Sequence, residues 1–121
     1  MLSEGEEYTL EVEADPAEFS TDRAIPLALI VNELVTNAFK YAYPSGDDGT
    51  IRVSFTRQEN GGYRLVVSDQ GVGLPPGFKP SNGGLGMTIV TSLCIQLGAS
   101  FSFGPTAETG GARFVVSLPP T

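Results

Sequence analysis

An acid, an amide and an ammonium recur along one helical repeat of this sequence, and that row is the first place where it could do chemistry. Residues 27–42 read LALIVNELVTNAFKYA, in which Glu33, Asn37 and Lys40 are spaced by four and then three. At about 100° per residue these three fall within one narrow arc over two turns. Asn37 is the unusual member: an amide in mid-helix competes for backbone hydrogen bonds and lowers helix propensity, and a ligand outside the helix would account for it. Glu33 or Lys40 alone reads as an ordinary solvated helix residue. A second carboxylate stands out by its phase. Tyr63, Leu65, Val67 and Asp69 alternate onto one strand face, so an apolar row ends in a charge that is costly to bury without a partner. Taken alone, Asp69 reads as the opener of a turn. Finally, GGLGM at residues 83–87 leads straight into an apolar-periodic run. Such a lead turns free amides and the positive end of a helix dipole toward one point, which suits a phosphate; the alternative is a flexible hinge.

The elements that must carry these groups can be read from the periods. The spacing predicts a helix over 27–42 with Leu27, Ile30, Val31, Leu34, Val35, Ala38 and Ala42 on its packing face. Ser20, Thr21 or Asp22 would cap it, Pro26 would sit near its first turn, and Tyr43-Pro44 would end it. Residues 9–14 alternate as an edge strand broken at Asp15-Pro16, and residues 45–49 form a loop. Residues 51–56 and 63–69 alternate on either side of Asn60-Gly61, a hairpin signal. Residues 74–82, rich in Pro and Gly, have no period. A second helix follows the glycines, with Ile89, Val90, Leu93, Cys94 and Leu97 inward and Gly98 at its end. Strands over 100–103 and 112–118 close the chain. The expected architecture is α+β: two helices on one face of a mixed, largely antiparallel sheet.

Composition narrows the function classes. The 121 residues are one domain by length and can bury a real core. Seven basic residues stand against fourteen acidic ones, a net charge of −7, which disfavours nucleic acid as a partner. No apolar run reaches membrane-spanning length and the first residues lack a signal-peptide pattern, so the reading is cytoplasmic, with no direct membrane contact from this domain. The single Cys94 is expected to be a buried structural thiol. The chain contains no His, which removes imidazole catalysis, His metal ligands and a phospho-accepting His from within it.

Four segments in fixed order, NELVTNAFKYA on a helix, DQGVG after a strand, GGLGM at a helix start and GGARF opening the last strand, resemble the GHKL superfamily. They are most similar to the catalytic ATP-binding domain of bacterial two-component sensor histidine kinases. IVNELVTNAFKYAYP and the short lid resemble the class related to the HWE kinases, although the Trp and His that name that group are absent. The resemblance implies a two-layer α/β sandwich, the Bergerat fold, binding ATP with Mg²⁺. Asn37 would coordinate Mg²⁺ through its side-chain oxygen. Glu33 would act as general base or orient the nucleophile, Lys40 would reach phosphate, and Tyr41, which stands where many relatives have His, would border the nucleotide. Asp69 would accept a hydrogen bond from the adenine amino group, with Gly71 and Gly73 letting the backbone approach the purine. Gly84, Leu85, Gly86 and Met87 would bring amides to the phosphates, and Leu74 opens the lid, residues 74–83. Ala112 follows Gly110-Gly111 where relatives often carry Thr.

The activity this implies is transfer of the γ-phosphoryl group to a histidine on a separate dimerisation domain, with a response regulator downstream. Because the acceptor is absent and the sequence starts abruptly at a strand, it is expected to be a piece of a larger protein. Two other readings share these residues: a serine kinase of the anti-sigma-factor type, and a partner-docking pseudo-kinase domain that does not use nucleotide. Retention of Glu33, Asn37, Asp69 and Gly73 weighs against the latter.

Overall fold

The computed structural model describes residues 8–43, 49–106 and 110–120. Seven main elements follow in order: β1 (Tyr8–Ala14), α1 (Thr21–Tyr41), β2 (Gly49–Arg57), β3 (Tyr63–Asp69), α2 (Gly84–Leu97), β4 (Ser100–Pro105) and β5 (Ala112–Leu118), with a single 3₁₀ turn at Pro80–Asn82 before α2. The strands form one sheet in the order β1-β2-β3-β5-β4. β1 runs parallel to β2, and the other neighbours are antiparallel. Two long crossovers are needed: α1 joins the paired parallel strands β1 and β2, and α2 joins β3 to β4, which run the same way on either side of β5.

Alternation puts one row of β2, β3 and β5 under the helices. Val53 pairs with Val67 and Val67 with Phe114, and all three are buried beside Ile30, Leu34 and Ala38 of α1 and Met87, Val90 and Cys94 of α2. The result is the expected α+β arrangement, one mixed sheet with both helices on one face. β1 lies at the edge, as expected, but the half-buried face that its alternation implies is absent, Leu10 and Val12 being exposed because no helix covers this edge. Asp15 closes the strand by accepting from the Arg57 amide at 2.7 Å. At the hairpin, Asn60 Oδ1 accepts from the Gly62 amide at 2.8 Å, the local bond that makes Asn effective in tight turns.

Two features differ from the sequence reading, the place of Pro26 in α1 and the start of α2. α1 begins at Thr21, directly after the expected cap candidate Ser20 and a turn and a half before the apolar run at Leu27. Ser20 occupies the cap position with extended backbone, but its side chain makes no capping bond; its carbonyl accepts from Arg23 and Ala24 instead. Pro26 therefore lies in the second turn rather than the first. Its ring is buried and heads the stripe Pro26, Ile30, Leu34, Ala38, so apolar packing accompanies the missing backbone bond. The other difference is that the glycine lead is not a linker: Gly84 and Gly86 belong to the first turn of α2. That helix ends as expected at Gly98, in the left-handed conformation with φ of 67°. The Pro44 stop and residues 45–48 of the expected 45–49 loop lie outside the described residues, while Gly49, expected in that loop, opens β2. Among the described residues no helix is long and apolar enough to cross a membrane.

Cys94 is buried in the core, and burial pushes its thiol up to about 11 from the ordinary value of 9.0. The neutral thiol is the form the fold accommodates, so its contribution to stability is complete below pH 9 and is lost as pH rises toward 11. Native protein at pH 8 is expected to resist alkylation by iodoacetamide and to react in full once unfolded in denaturant, as intact-mass measurement would show. Rapid native labelling would place this thiol at the surface.

Candidate functional site

A cavity of about 680 Å³ opens between the C-terminal half of α1, the end of β3, the following loop and the start of α2. Its size lies within the range of small-molecule sites. Of the residues expected at a site, Asn37, Tyr41, Asp69, Gly73, Leu74, Gly84 and Met87 line it. Glu33 and Gly86 stand just beyond one end: a Cβ on Gly86 would come 2.9 Å from Glu33 Oε2 and 3.6 Å from Asn37 Oδ1. Gly86 thus marks where the first turn of α2 comes against the polar stripe of α1, with only the flexible tip of Glu33 in close reach of a side chain there. Lys40 and Leu85 do not line the cavity and are exposed, Leu85 by 77%.

Asp69 is the centre of the polar arrangement. It is 5% exposed, the single buried charged residue among those described. Oδ1 accepts from the amides of Gly71 at 2.9 Å and Ala112 at 3.2 Å, while Oδ2 has no hydrogen-bond partner among the described residues. The in-phase carboxylate is therefore not a solvated turn residue. It is anchored by one oxygen and offers the other to the cavity, the acceptor geometry that a donor on a planar ring would meet.

The glycines after it serve different ends. Gly73 has φ of 80° and lines the cavity, where any side chain would be strained. Gly71 does not line it. A Cβ there would run into the carbonyl of Ala42, and the Val72 amide donates to that same oxygen at 2.9 Å. The loop after β3 is thus seated on the end of α1.

At the other end, the cap residue Gly83 contributes no side chain to the start of α2 and no acidic residue stands in its first turn. The first-turn amides have no intrahelical partner, so they are donors an anion could use. Among the described residues no group of three or more His, Cys, Asp or Glu could hold a metal ion by itself. A cation here would rest on the Asn37 oxygen and on oxygens that a ligand brings.

Several contributors carried no polar or glycine signal in the sequence. Phe78 and Phe114 line the cavity, and Phe78 packs edge-on against Phe103 at 5.1 Å and Phe114 at 6.3 Å between ring centroids. Its loop has no period, so nothing local marked it; Phe114 read simply as core. Thr106 reaches the back of Asp69, its Oγ1 2.9 Å from the Asp69 carbonyl and 3.2 Å from that of Ala112. The hydroxyl expected at position 112 is absent, and one stands behind that strand instead.

Residues 22–121 match the family described as Histidine kinase-, DNA gyrase B-, and HSP90-like ATPase. Blue-light-activated histidine kinase 2 of Erythrobacter litoralis is 29% identical over 108 residues, 88% of this chain and 30% of that protein. The solved histidine kinase domain of the Erythrobacter litoralis EL346 blue-light activated kinase superposes with a TM-score of 0.85 at 28% identity, over 95% of this chain and 55% of that one. The anti-sigma F factor of Priestia megaterium is 36% identical over 53 residues, 44% of this chain and 36% of that protein. The chain thus spans under a third of the first relative's length and about half of the solved domain's.

Replacing Gly71 with Ala forces a methyl group into the Ala42 carbonyl, and overpacking of this kind costs about 1–3 kcal/mol. Gly71→Ala is expected to lower the urea midpoint of the ligand-free protein by that measure. An unchanged midpoint would mean that the loop does not need this seat.

Proposed function

The chain belongs to the Histidine kinase-, DNA gyrase B-, and HSP90-like ATPase family, and from that premise we propose that it is the ATP- and Mg²⁺-binding catalytic unit of a sensor histidine kinase. In this reading it passes the γ-phosphoryl group of ATP to a histidine on a separate dimerisation domain, and a response regulator receives it next. The observation that carries the reading is Asp69: a buried carboxylate whose second oxygen faces the cavity is matched by the exocyclic amine of adenine, a donor on a flat apolar ring. Leu74, Met87, Phe78 and Phe114 supply the apolar walls.

The remaining residues divide the work along the nucleotide. The bare amides of the first turn of α2 would hold the phosphates, with Lys40 able to reach them from its exposed position. Asn37 would hold Mg²⁺ through its side-chain oxygen, and the single protein oxygen fits an ion that keeps its waters and takes phosphate oxygens. When bound, that ion neutralises charge on the phosphoryl oxygens. Glu33, beside Gly86 at the phosphate end, would accept the N–H of the incoming imidazole and so orient its other nitrogen. Phosphoryl transfer rests mainly on such positioning and electrostatic stabilisation. The acceptor must come from outside this chain, which has no His. We place the reaction in the cytoplasm, where ATP is available.

The first test is calorimetric titration with ADP and a non-hydrolysable ATP analogue, with and without Mg²⁺. Saturable, Mg²⁺-sensitive binding is expected, and none up to millimolar nucleotide would overturn the reading in favour of a docking module. Label from γ-labelled ATP should then appear, acid-labile, on a histidine-bearing dimerisation domain; acid-stable label on a serine-bearing partner would indicate the anti-sigma type of activity. Asp69→Asn keeps Oδ1 for the Gly71 and Ala112 amides but presents N–H₂ groups where Oδ2 stood. It is expected to weaken ADP binding at least about tenfold, the scale of a hydrogen bond to a charged group, with little change in ligand-free melting. Equal loss of both would make Asp69 structural. Asn37→Ala should remove chiefly the Mg²⁺-dependent part of the affinity, and an unchanged Mg²⁺ response would take that role away from it.

A further inference from the structure

One phenol hydroxyl ties together the end of the polar helix, the start of β2 and the loop that follows the buried carboxylate. Tyr43 Oη donates to the Thr50 carbonyl at 2.8 Å and accepts from the amides of Thr50 at 3.2 Å and Gln70 at 3.0 Å. Its proton and both acceptor positions are therefore committed within the protein. The ring is half-buried, packs at 5.8 Å from Tyr8, and fills the space where Gly49 has no side chain. It does not line the cavity. Tyr43 is thus not a ligand group. Its neighbour Tyr41, 67% exposed, does line the cavity.

We infer that Tyr43 is a positioning residue for base recognition, acting on Asp69 through the backbone of Gln70 and Gly71. The chain of contacts is short. Tyr43 holds the Gln70 amide, the next amide along, Gly71, donates to Asp69 Oδ1 at 2.9 Å, and the one after, Val72, is held by the Ala42 carbonyl at 2.9 Å. Two consecutive residues at the end of α1 therefore grip the loop on both sides of the donor that orients the carboxylate. Asn37 lies on α1 about a turn and a half before these two residues, so the device also sets the distance between the base end of the site and its phosphate end. Without the hydroxyl, no other group among the described residues on the helix side holds the Gln70 amide, and the Gly71 donor can drift with it. This inference rests on the nucleotide site proposed above.

A double-mutant cycle on the full chain tests it, with Tyr43→Phe, Asp69→Asn and the pair titrated with ADP and with IDP, whose base lacks the exocyclic amine. The expected result is that Tyr43→Phe weakens ADP about tenfold, the scale of one to two neutral hydrogen bonds, but less than about twofold when Asp69 is already Asn. The preference for ADP over IDP should narrow in Tyr43→Phe, a change that general loosening of the fold would not produce. In ligand-free protein, amide exchange should quicken from Gln70 to Gly73 while Leu65 and Val67 keep their protection. Should Tyr43→Phe not fold, 4-fluorophenylalanine at position 43 keeps the ring's shape without the proton and is read the same way. An additive cycle with an unchanged ADP-to-IDP ratio, or unaltered exchange at 70–73, would overturn the role of Tyr43 while leaving the site intact. A parent chain that binds ADP no better than IDP would overturn the base-recognition reading itself, and this inference with it.

Discussion

The structure depends on keeping one carboxylate inside. Asp69 ends β3 on the face that the helices cover, where an unpaired charge would cost several kcal/mol, and it is kept there by two backbone amides from different directions. One comes from the turn immediately after it, the other from the first residue of β5. The β3 to β5 register, the tight turn at Gly71 and the approach of the β4 to β5 connection behind Asp69 all meet at that group. Thr106 braces its backbone from the rear, so the carboxylate is fixed as a hydrogen-bond acceptor by the sheet itself. An acceptor so fixed is pre-organised, and a donor that meets it loses little to reordering.

A rigid acceptor is of use only if the other end of the ligand is placed relative to it, and that is the task of α1. The helix contributes its apolar stripe to the core and its polar stripe to the cavity, so the same packing that buries Ile30, Leu34 and Ala38 sets the height of Asn37 and Glu33 over the sheet. Its end is clamped to the loop after Asp69 through Ala42. The start of α2 lies against it at Gly86, where a Cβ would crowd only the flexible tip of Glu33. Gly71 is the stricter position, since a Cβ there would meet the backbone of Ala42.

The periods of the sequence were enough to read the sheet, both helices and their common face, because alternation and the 3.6-residue repeat are direct consequences of burial. The start of α1 was marked only by its polar cap candidates, of which Ser20 takes the place. Its first turns carry Thr21, Asp22 and the exposed Ile25, so burial there does not follow the apolar pattern, and Pro26 suggested a boundary that packing overrides. The polar site residues could be picked out because each was out of keeping with its element: an amide in mid-helix, a charge in an apolar phase, glycines at a helix start. Phe78, Phe114 and Thr106 were in keeping with theirs, and only the folded chain brings them to Asp69 and the cavity. Lys40 and Leu85 show the converse: a motif named them, and the structure leaves both at the surface.

That exposure has a physical logic when the two ends of the cavity are compared. The base end is closed by packed rings and by backbone that is hydrogen-bonded on both sides, so it can discriminate a ligand. The other end is built from glycines and uncapped amides, with Lys40 and Leu85 exposed outside the lining, and so has little to discriminate with. An enzyme acting on a small molecule alone would gain by closing that end, since excluding water strengthens every interaction within. An open end is instead what a phosphoryl donor requires when the acceptor is carried by another folded domain, because the acceptor side chain must arrive in line with the bond that breaks. The absence of any His in the chain and the glycine-built start of α2 therefore bear on the same proposal: under it the cavity holds the nucleotide, and the acceptor comes on a surface that docks against it.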